Sequence, residues 1–475
     1  MTAAAPERLV LAFVVAATGA GAGGTVWLLA GSTVPDWLLP LAAVAGLVAA
    51  LGYRPAAPPA GEPAPRWLLA VAVFVITALA VVLAHGALAT PSRHWDGAVA
   101  WDLKTAALGT APTLAQPLFR DPTVYCHSRD YPLLQPLLMA LGDRWHVPGR
   151  LLFPAAYLLL VAAIAAGARA AGAGGRWTIL FALAAAVTPM WLSPTSGGFD
   201  SGYGDALLTA WLATVALGVA TRNLPLVLAG LVLAILQKPE GLPYAGVFLA
   251  AVWLRGDARM LRAATFAVLV GGMLELALQQ DLRSCGYTAI AAGTVAGAAA
   301  AAILLLALDA WLRHHDAGLR ARCIGLLLLT PVAIWAASLG AGGEGGVLGA
   351  HLASATRPLQ RLDRLPRVCL AIAEWGFGRG TFGLAFVVPI VVVAAQWRTR
   401  TTPRAPLLLA WLLLALPLWC VPFLTSPLED LDRHLRSTLP RVMLHWTGVI
   451  WLWTALQPIL CQSAQRALGA REPNP

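Results

Sequence analysis

Residues 151–168 read LLFPAAYLLLVAAIAAGA, eighteen positions without a charged side chain, and the run closes on Arg169. Wound as a helix at ~1.5 Å per residue, such a run crosses most of the ~30 Å hydrocarbon core of a bilayer. Similar runs recur along the 475 residues, at about 9–30, 37–53, 67–89, 177–192, 205–220, 224–236, 242–254, 263–280, 287–311, 323–340, 382–397, 405–424 and 443–460. Backbone N–H and C=O groups cannot be left unpaired in hydrocarbon, so the runs are read as helices. The composition agrees, because 12% charged residues is about half of what a soluble surface carries. The expectation is an all-α polytopic membrane protein with about fourteen transmembrane helices, twelve at the least.

The net charge of +10 does not point to nucleic acid. Its basic residues punctuate apolar runs and do not gather on one soluble face. Arginine outnumbers lysine 31 to 2, which singles out Lys104 and Lys238. Short connections rich in Lys and Arg stay in the cytoplasm. Arg54 and Arg66, Arg169 and Arg176, Arg255 to Arg262, Arg313 to Arg322, and Arg398 to Arg404 mark five of the connections that alternate along the chain. Both termini are therefore expected inside, with MTAAAPER leading an uncleaved first span and 461–475 forming a cytoplasmic tail. Six cysteines show no metal-ligand spacing. Cys126 and Cys369 fall in expected outer loops, where oxidising chemistry allows a disulfide, although unpaired inert thiols fit as well.

The outer connections 90–150, 193–204, 341–381 and 425–442 hold most of the His, Asp and Glu. In the first, Trp95 to Leu108 is expected to form an amphipathic interfacial helix anchored by Trp95 and Trp101. At 100° per residue Asp96 and Lys104 share a face and Asp102 looks elsewhere. The plainer reading of Asp96 is a helix cap, and of Lys104 a solvated interface charge. Asp130 and Tyr131 open the segment DYPLLQPLL, as a cap and an interfacial anchor or as site residues. Lys238-Pro239-Glu240 sits on a rigid turn between spans, and Arg441 begins the last span. Asp205 reads as a cap, Glu275 as a snorkelling group and His445 as a packed or headgroup-facing ring. No zinc motif, P-loop or dinucleotide fingerprint appears.

The pattern WDGAVAWDLKTAAL (95–108), followed by H-x-x-DYPLLQPLL, resembles bacterial membrane enzymes of the GT-C glycosyltransferase superfamily. The likeness is to those with a core like the dolichyl- or polyprenyl-phosphate-mannose mannosyltransferases. FDSGYGDALL (199–208), LQKPEGLPY (236–244) and HLRSTLPRVMLHW (434–446) fit the same order. Thr105 stands where the family usually has alanine, and residues 1–66 add two N-terminal helices to a catalytic domain at 67–460. The resemblance implies an inverting hexosyltransferase in the bacterial inner membrane. It would move a sugar from a polyprenyl phosphate to a glycan, lipid or protein acceptor on the outer face. Asp96 would be its catalytic carboxylate, and Lys104, Asp130, Tyr131, Lys238, Glu240 and Arg441 would bind substrate. No organic cofactor is implied, and a divalent metal is left open. The competing reading is a multi-pass transporter or lipid flippase, which should carry its ionisable groups near mid-membrane.

Overall fold

A computed structural model of the chain describes residues 5–54, 63–89, 97–126, 128–193, 197–283, 292–314, 318, 322, 358–378, 380–399, 404–425 and 430–457. Asp96, the expected span 323–340 and the tail 461–475 lie outside them. The described residues form helices, with no strand among them. In chain order these are α1 (Ala5–Leu29), α2 (Leu38–Gly52), α3 (Arg66–Ala89), α4 (Leu103–Thr110), α5 (Pro117–Arg120), α6 (Leu134–Arg144), α7 (Leu152–Ala170) and α8 (Gly175–Ala186). They continue as α9 (Gly204–Thr221), α10 (Leu224–Gln237), α11 (Gly241–Arg255), α12 (Ala258–Arg283) and α13 (Ala292–His314). The last four are α14 (Leu365–Ala373), α15 (Val387–Thr399), α16 (Pro406–Thr425) and α17 (Leu431–Ala455).

Six of the described helices are long and apolar enough to cross a membrane: α1, α3, α9, α12, α16 and the run Gly149–Ala170 that includes α7. Five shorter apolar helices, α2, α8, α10, α11 and α15, accompany them. The chain is a multi-pass membrane protein. Burial sorts the long helices, since α9 is 83% buried across its apolar window and α3 only 17%. The centre of the bundle is therefore α9, packed by α7, α10 and α17, while α3 leaves Trp67, Phe74 and Val82 on the outside, where lipid would lie. The first helix is not peripheral, because α1 packs against α2, α7 and α10.

Helices α9 to α12 run up and down because their connections are tight. Arg222 takes a left-handed conformation (φ 55°), and the Asn223 side chain then accepts from the Leu226 N–H to start α10. At the opposite end Lys238-Pro239-Glu240 turns the chain into α11. Gly241 is required there, because a Cβ would lie 1.8 Å from the Ala234 carbonyl oxygen. This close approach fixes where Lys238 and Glu240 sit.

Polar groups gather at the two ends of the bundle. One end holds Glu7 with the Tyr53 hydroxyl, Arg322 2.9 Å from Asp309, and Arg404 on the Ala171 carbonyl. The other holds Arg144 with Asp36, Lys104, Asp205, Lys238 and Arg441. Two differences from the sequence reading follow. Residues 431–442, expected in an outer loop, are the first turns of α17, which passes through Pro440 without ending and is capped by Asp430 accepting from the Arg433 N–H. The expected surface helix at 95–108 is a π-helical turn, Gly97–Asp102, running into α4. That wider turn changes the phase of its side chains, and Lys104 faces inward, fully buried.

Candidate active site

The centre of the polar end is Asp205, in the first turn of α9 and with no exposed surface. It does not cap its helix. Its Oδ1 accepts from Lys238 Nζ (2.8 Å) and His445 Nε2 (2.7 Å), and its Oδ2 accepts from Arg441 Nε (3.1 Å) and Nη2 (3.0 Å). Arg441 and His445 are one turn apart on α17, so a single helix face delivers both. A carboxylate can only accept, so His445 carries its proton on Nε2. The neutral ring then accepts at Nδ1 from the Tyr244 hydroxyl 3.0 Å away. The Arg441 guanidinium lies 4.4 Å from the centre of the Tyr203 ring. A buried charge is tolerated when it is paired and hydrogen-bonded, and Asp205 meets both conditions.

Around this core stand the groups that reach outward. Burial works against the Lys238 ammonium, but Asp205 and Glu240 outweigh it and hold its pKa above the ordinary lysine value. Burial works against the Glu240 carboxylate, but Lys238, with smaller help from other neighbours, brings its pKa below the ordinary glutamate value. Its Oε1 lies 3.4 Å from Lys238 Nζ and its side chain is 38% exposed. Its Oε2 meets no hydrogen-bond donor among the described residues. The Tyr131 hydroxyl is pushed up to about 12, first by burial and then by Glu240. Trp101 packs beside Tyr131 (ring centres 5.8 Å apart), and a Cβ on Gly204 would come within 3.2 Å of its ring. The first outer segment thus rests on the start of α9.

Lys104 is tied into that segment. Its Nζ donates to the Ser128 carbonyl (2.7 Å) and is 3.4 Å from the Tyr131 carbonyl, pinning a turn in which Ser128 has φ +50°. Burial pulls the ammonium down to about 8, against Cys126, Asp130 and Glu275, whose charges favour it, while Arg129 adds to the fall. A lysine depressed in the folded state binds fewer protons than the unfolded chain between about 8 and its ordinary value. Folding stability should therefore rise with pH across that window through this group. We expect the melting temperature of the wild type, relative to Lys104→Met, to climb from pH 8 to pH 10 in detergent. Parallel pH curves for the two proteins would remove the buried ammonium from the account.

The structure thus brings together Lys238, Glu240, Arg441 and Tyr131, with Lys104 and Asp130 behind Tyr131. Asp96 directly precedes Gly97, which is buried at the start of the π-helical turn. Asp102 faces away from the site and pairs with Arg150. Glu275, expected to snorkel, is 2% exposed and accepts from Gln279 (2.6 Å). Asp205 and His445 are the members that the sequence reading left as a cap and a packed ring. The signal available was the four-residue step from Arg441 to His445. Among the described residues no group of three or more His, Cys, Asp or Glu is placed to hold a metal ion.

The described helices form an all-α bundle with a charged site at one end, and this fold is shared with solved membrane-protein structures. The chain is similar in structure to the oligosaccharyltransferase of Archaeoglobus fulgidus in its apo form (TM-score 0.50, 12% identity, 85% of this chain and 53% of that one). It is equally similar to the archaeal oligosaccharyltransferase AglB of that organism in complex with an inhibitory peptide and a dolichol-phosphate (TM-score 0.50, 12% identity, 86% and 52%). The chain spans about half the length of these proteins. No protein-family profile matches it, and no curated protein sequence does.

Proposed function

We propose that the protein is a glycosyltransferase that moves a sugar from a polyprenyl-phosphate donor to an acceptor on the extracytoplasmic face of a bacterial inner membrane, with both termini in the cytoplasm. The observation that carries this reading is the Asp205 network. It holds Lys238 and Arg441 charged beside Tyr131 and Glu240, at the end of the bundle where a lipid-borne phosphate would lie. A leaving phosphate calls for fixed cations, and cations already oriented by a buried carboxylate need little reorganisation as negative charge develops. Asp205, Lys238 and Glu240 lie at the ends of α9, α10 and α11, which suits interfacial chemistry better than transport.

In the step proposed, Asp96 takes the proton of the acceptor hydroxyl and the oxygen attacks the anomeric carbon from the face opposite the phosphate. The bond from that carbon to the phosphate oxygen breaks, inverting the configuration. Lys238 and Arg441 stabilise the departing phosphate, Tyr131 lines the sugar subsite, and Lys104 holds Tyr131 in place beside Asp130. The fold relative solved with a dolichol-phosphate supports a lipid phosphate as partner. The test is incubation of the purified protein, with membrane lipids and a crude acceptor fraction, against a panel of radiolabelled polyprenyl-phosphate sugars. At least one donor should yield labelled product, or free sugar by slow hydrolysis. Intact donor throughout the panel would refute the reading.

A further inference from the structure

Next to the Asp205 site runs a chain of neutral hydrogen bonds that the proposed reaction does not use. The indole Nε1 of Trp211, on α9, donates to Gln237 Oε1 (3.2 Å), and Gln237 Nε2 donates to Gln135 Oε1 (3.3 Å). Gln135 Nε2 then donates to the Gly202 carbonyl (3.0 Å). Trp211, Gln237 and Gln135 have no exposed surface. An indole N–H can only donate and a carbonyl can only accept, so the two ends fix both amides in one orientation. Neither can flip without setting oxygen against oxygen or N–H against N–H. The bridge joins three segments that carry the site. Gln237 directly precedes Lys238 at the end of α10, Gly202 shortly precedes Asp205, and Gln135 lies in the first turn of α6, one turn after Tyr131. A Cβ on Gly204 would come within 2.9 Å of Gln237 Nε2, so the start of α9 presses on the bridge. Helix α1 backs it, packing against α6 and α10 and stacking Phe13 on Trp211 (ring centres 6.1 Å apart).

We propose that Gln135 and Gln237 are positioning residues, which set Tyr131 and the first outer segment against the cations that Asp205 holds. The proposal rests on the sugar-transfer reading for what this alignment serves: Tyr131 lines the sugar subsite and Lys238 meets the phosphate, so the bridge fixes the sugar over its leaving group. A small misplacement of reacting groups costs rate more than it costs binding. An amide donates and accepts without carrying a charge, so the bridge adds no ion to a site whose charges are already matched. A protonated carboxyl can replace Gln135 in this chain, because it donates at one oxygen and accepts at the other. A carboxylate cannot, since it meets the Gly202 carbonyl with an acceptor.

The experiment places 3-fluorotyrosine in the full chain, purified in detergent, and follows the Tyr131 fluorine line, identified by its loss in Tyr131→Phe. Gln135→Met cuts the bridge and should displace that line by more than its width, with the line of Tyr53, at the other end of the bundle, unmoved. Gln135→Glu restores the bridge only while the introduced carboxyl is protonated. Burial raises such a carboxyl by up to ~3–5 units, so from about pH 6 to about pH 9 the line should pass from the wild-type position to that of Gln135→Met. Any titration of Lys104, Asp205, Lys238, Glu240 or Tyr131 occurs in the wild type as well, so the difference between the two chains is read. With a donor from the panel, kcat of Gln135→Glu relative to wild type should fall about tenfold over that range, with KM little changed. If Gln135→Met fails to accumulate, Gln135→Glu purified at the acid end carries the test alone. A Tyr131 line that keeps the wild-type position in both variants, whatever their melting temperatures, would reduce the bridge to packing and overturn the proposal. A line that switches while kcat does not would overturn it too. A line that switches in a protein that turns over no donor leaves the positioning of Tyr131 standing and sinks the sugar-transfer reading.

Discussion

Asp205→Asn is expected to be the most destabilising single substitution of a polar group in the described bundle. The change is nearly isosteric, yet it removes the carboxylate that touches Lys238, Arg441 and His445 together. Breaking a buried pair by deleting one partner typically costs ~3–5 kcal/mol, because the remaining charge is left in a poor solvent. The Lys238 side chain is 4% exposed and, among the described residues, would keep Glu240 at 3.4 Å as its ion-pair partner. The comparison is Asp102→Asn, whose pair with Arg150 leaves both side chains about a quarter exposed and should lose about 1 kcal/mol or less. Tryptophan fluorescence melts in detergent would rank the two. Adding Lys238→Met to Asp205→Asn should restore part of the loss, because the uncompensated ammonium goes with it. An Asp205→Asn protein as stable as Asp102→Asn would mean that the network does not hold α9, α10 and α17 together.

Much of the fold was legible because a bilayer imposes one rule on every segment. A run such as 151–168 reads as a helix without knowledge of its neighbours, and α7 covers Leu152–Ala170. The basic connections read as one end for the same local reason. Legibility failed where the answer depended on contact. The start of α17 was hidden because EDLDRHLRSTLPR resembles a solvated loop in composition, while its helix is fixed by the Asp430 cap and by Arg367 reaching Asp432. Asp205 looked like a cap because Asp at the start of an apolar run usually is one. Its partners arrive from 33, 236 and 240 residues away, and no local spacing announces them. Lys238, Glu240 and Arg441 were singled out by residue type and by position at span ends. Their meeting at one carboxylate is a property of the bundle.

The choice of catalytic carboxylate gives the second large effect. Asp205 is excluded as a base, since both of its oxygens are occupied and none of its surface is exposed. Of the other carboxylates, Asp96 precedes the π-helical turn in sequence, Asp130 adjoins Tyr131, and Glu240 stands at the rim, where its Oε2 meets no donor among the described residues. A base must reach the acceptor on the side of the sugar opposite the phosphate. Glu240 lies beside Lys238, on the phosphate side of the proposed arrangement, where its charge serves to orient the cation. Asp96 directly precedes the π-helical turn in sequence, in the stretch that carries Trp101, which packs beside Tyr131. Asp96→Asn should therefore lower kcat by about 10²–10⁴-fold with donor binding little changed, the usual cost of losing general-base help. Glu240→Gln should act mainly on KM for the donor, and Asp102→Asn on neither. Both losses are to be read at equal expression, with donor binding measured by filtration alongside turnover. Normal turnover in Asp96→Asn together with a dead Glu240→Gln would move the base to Glu240 and reverse the assignment of the two faces of the sugar.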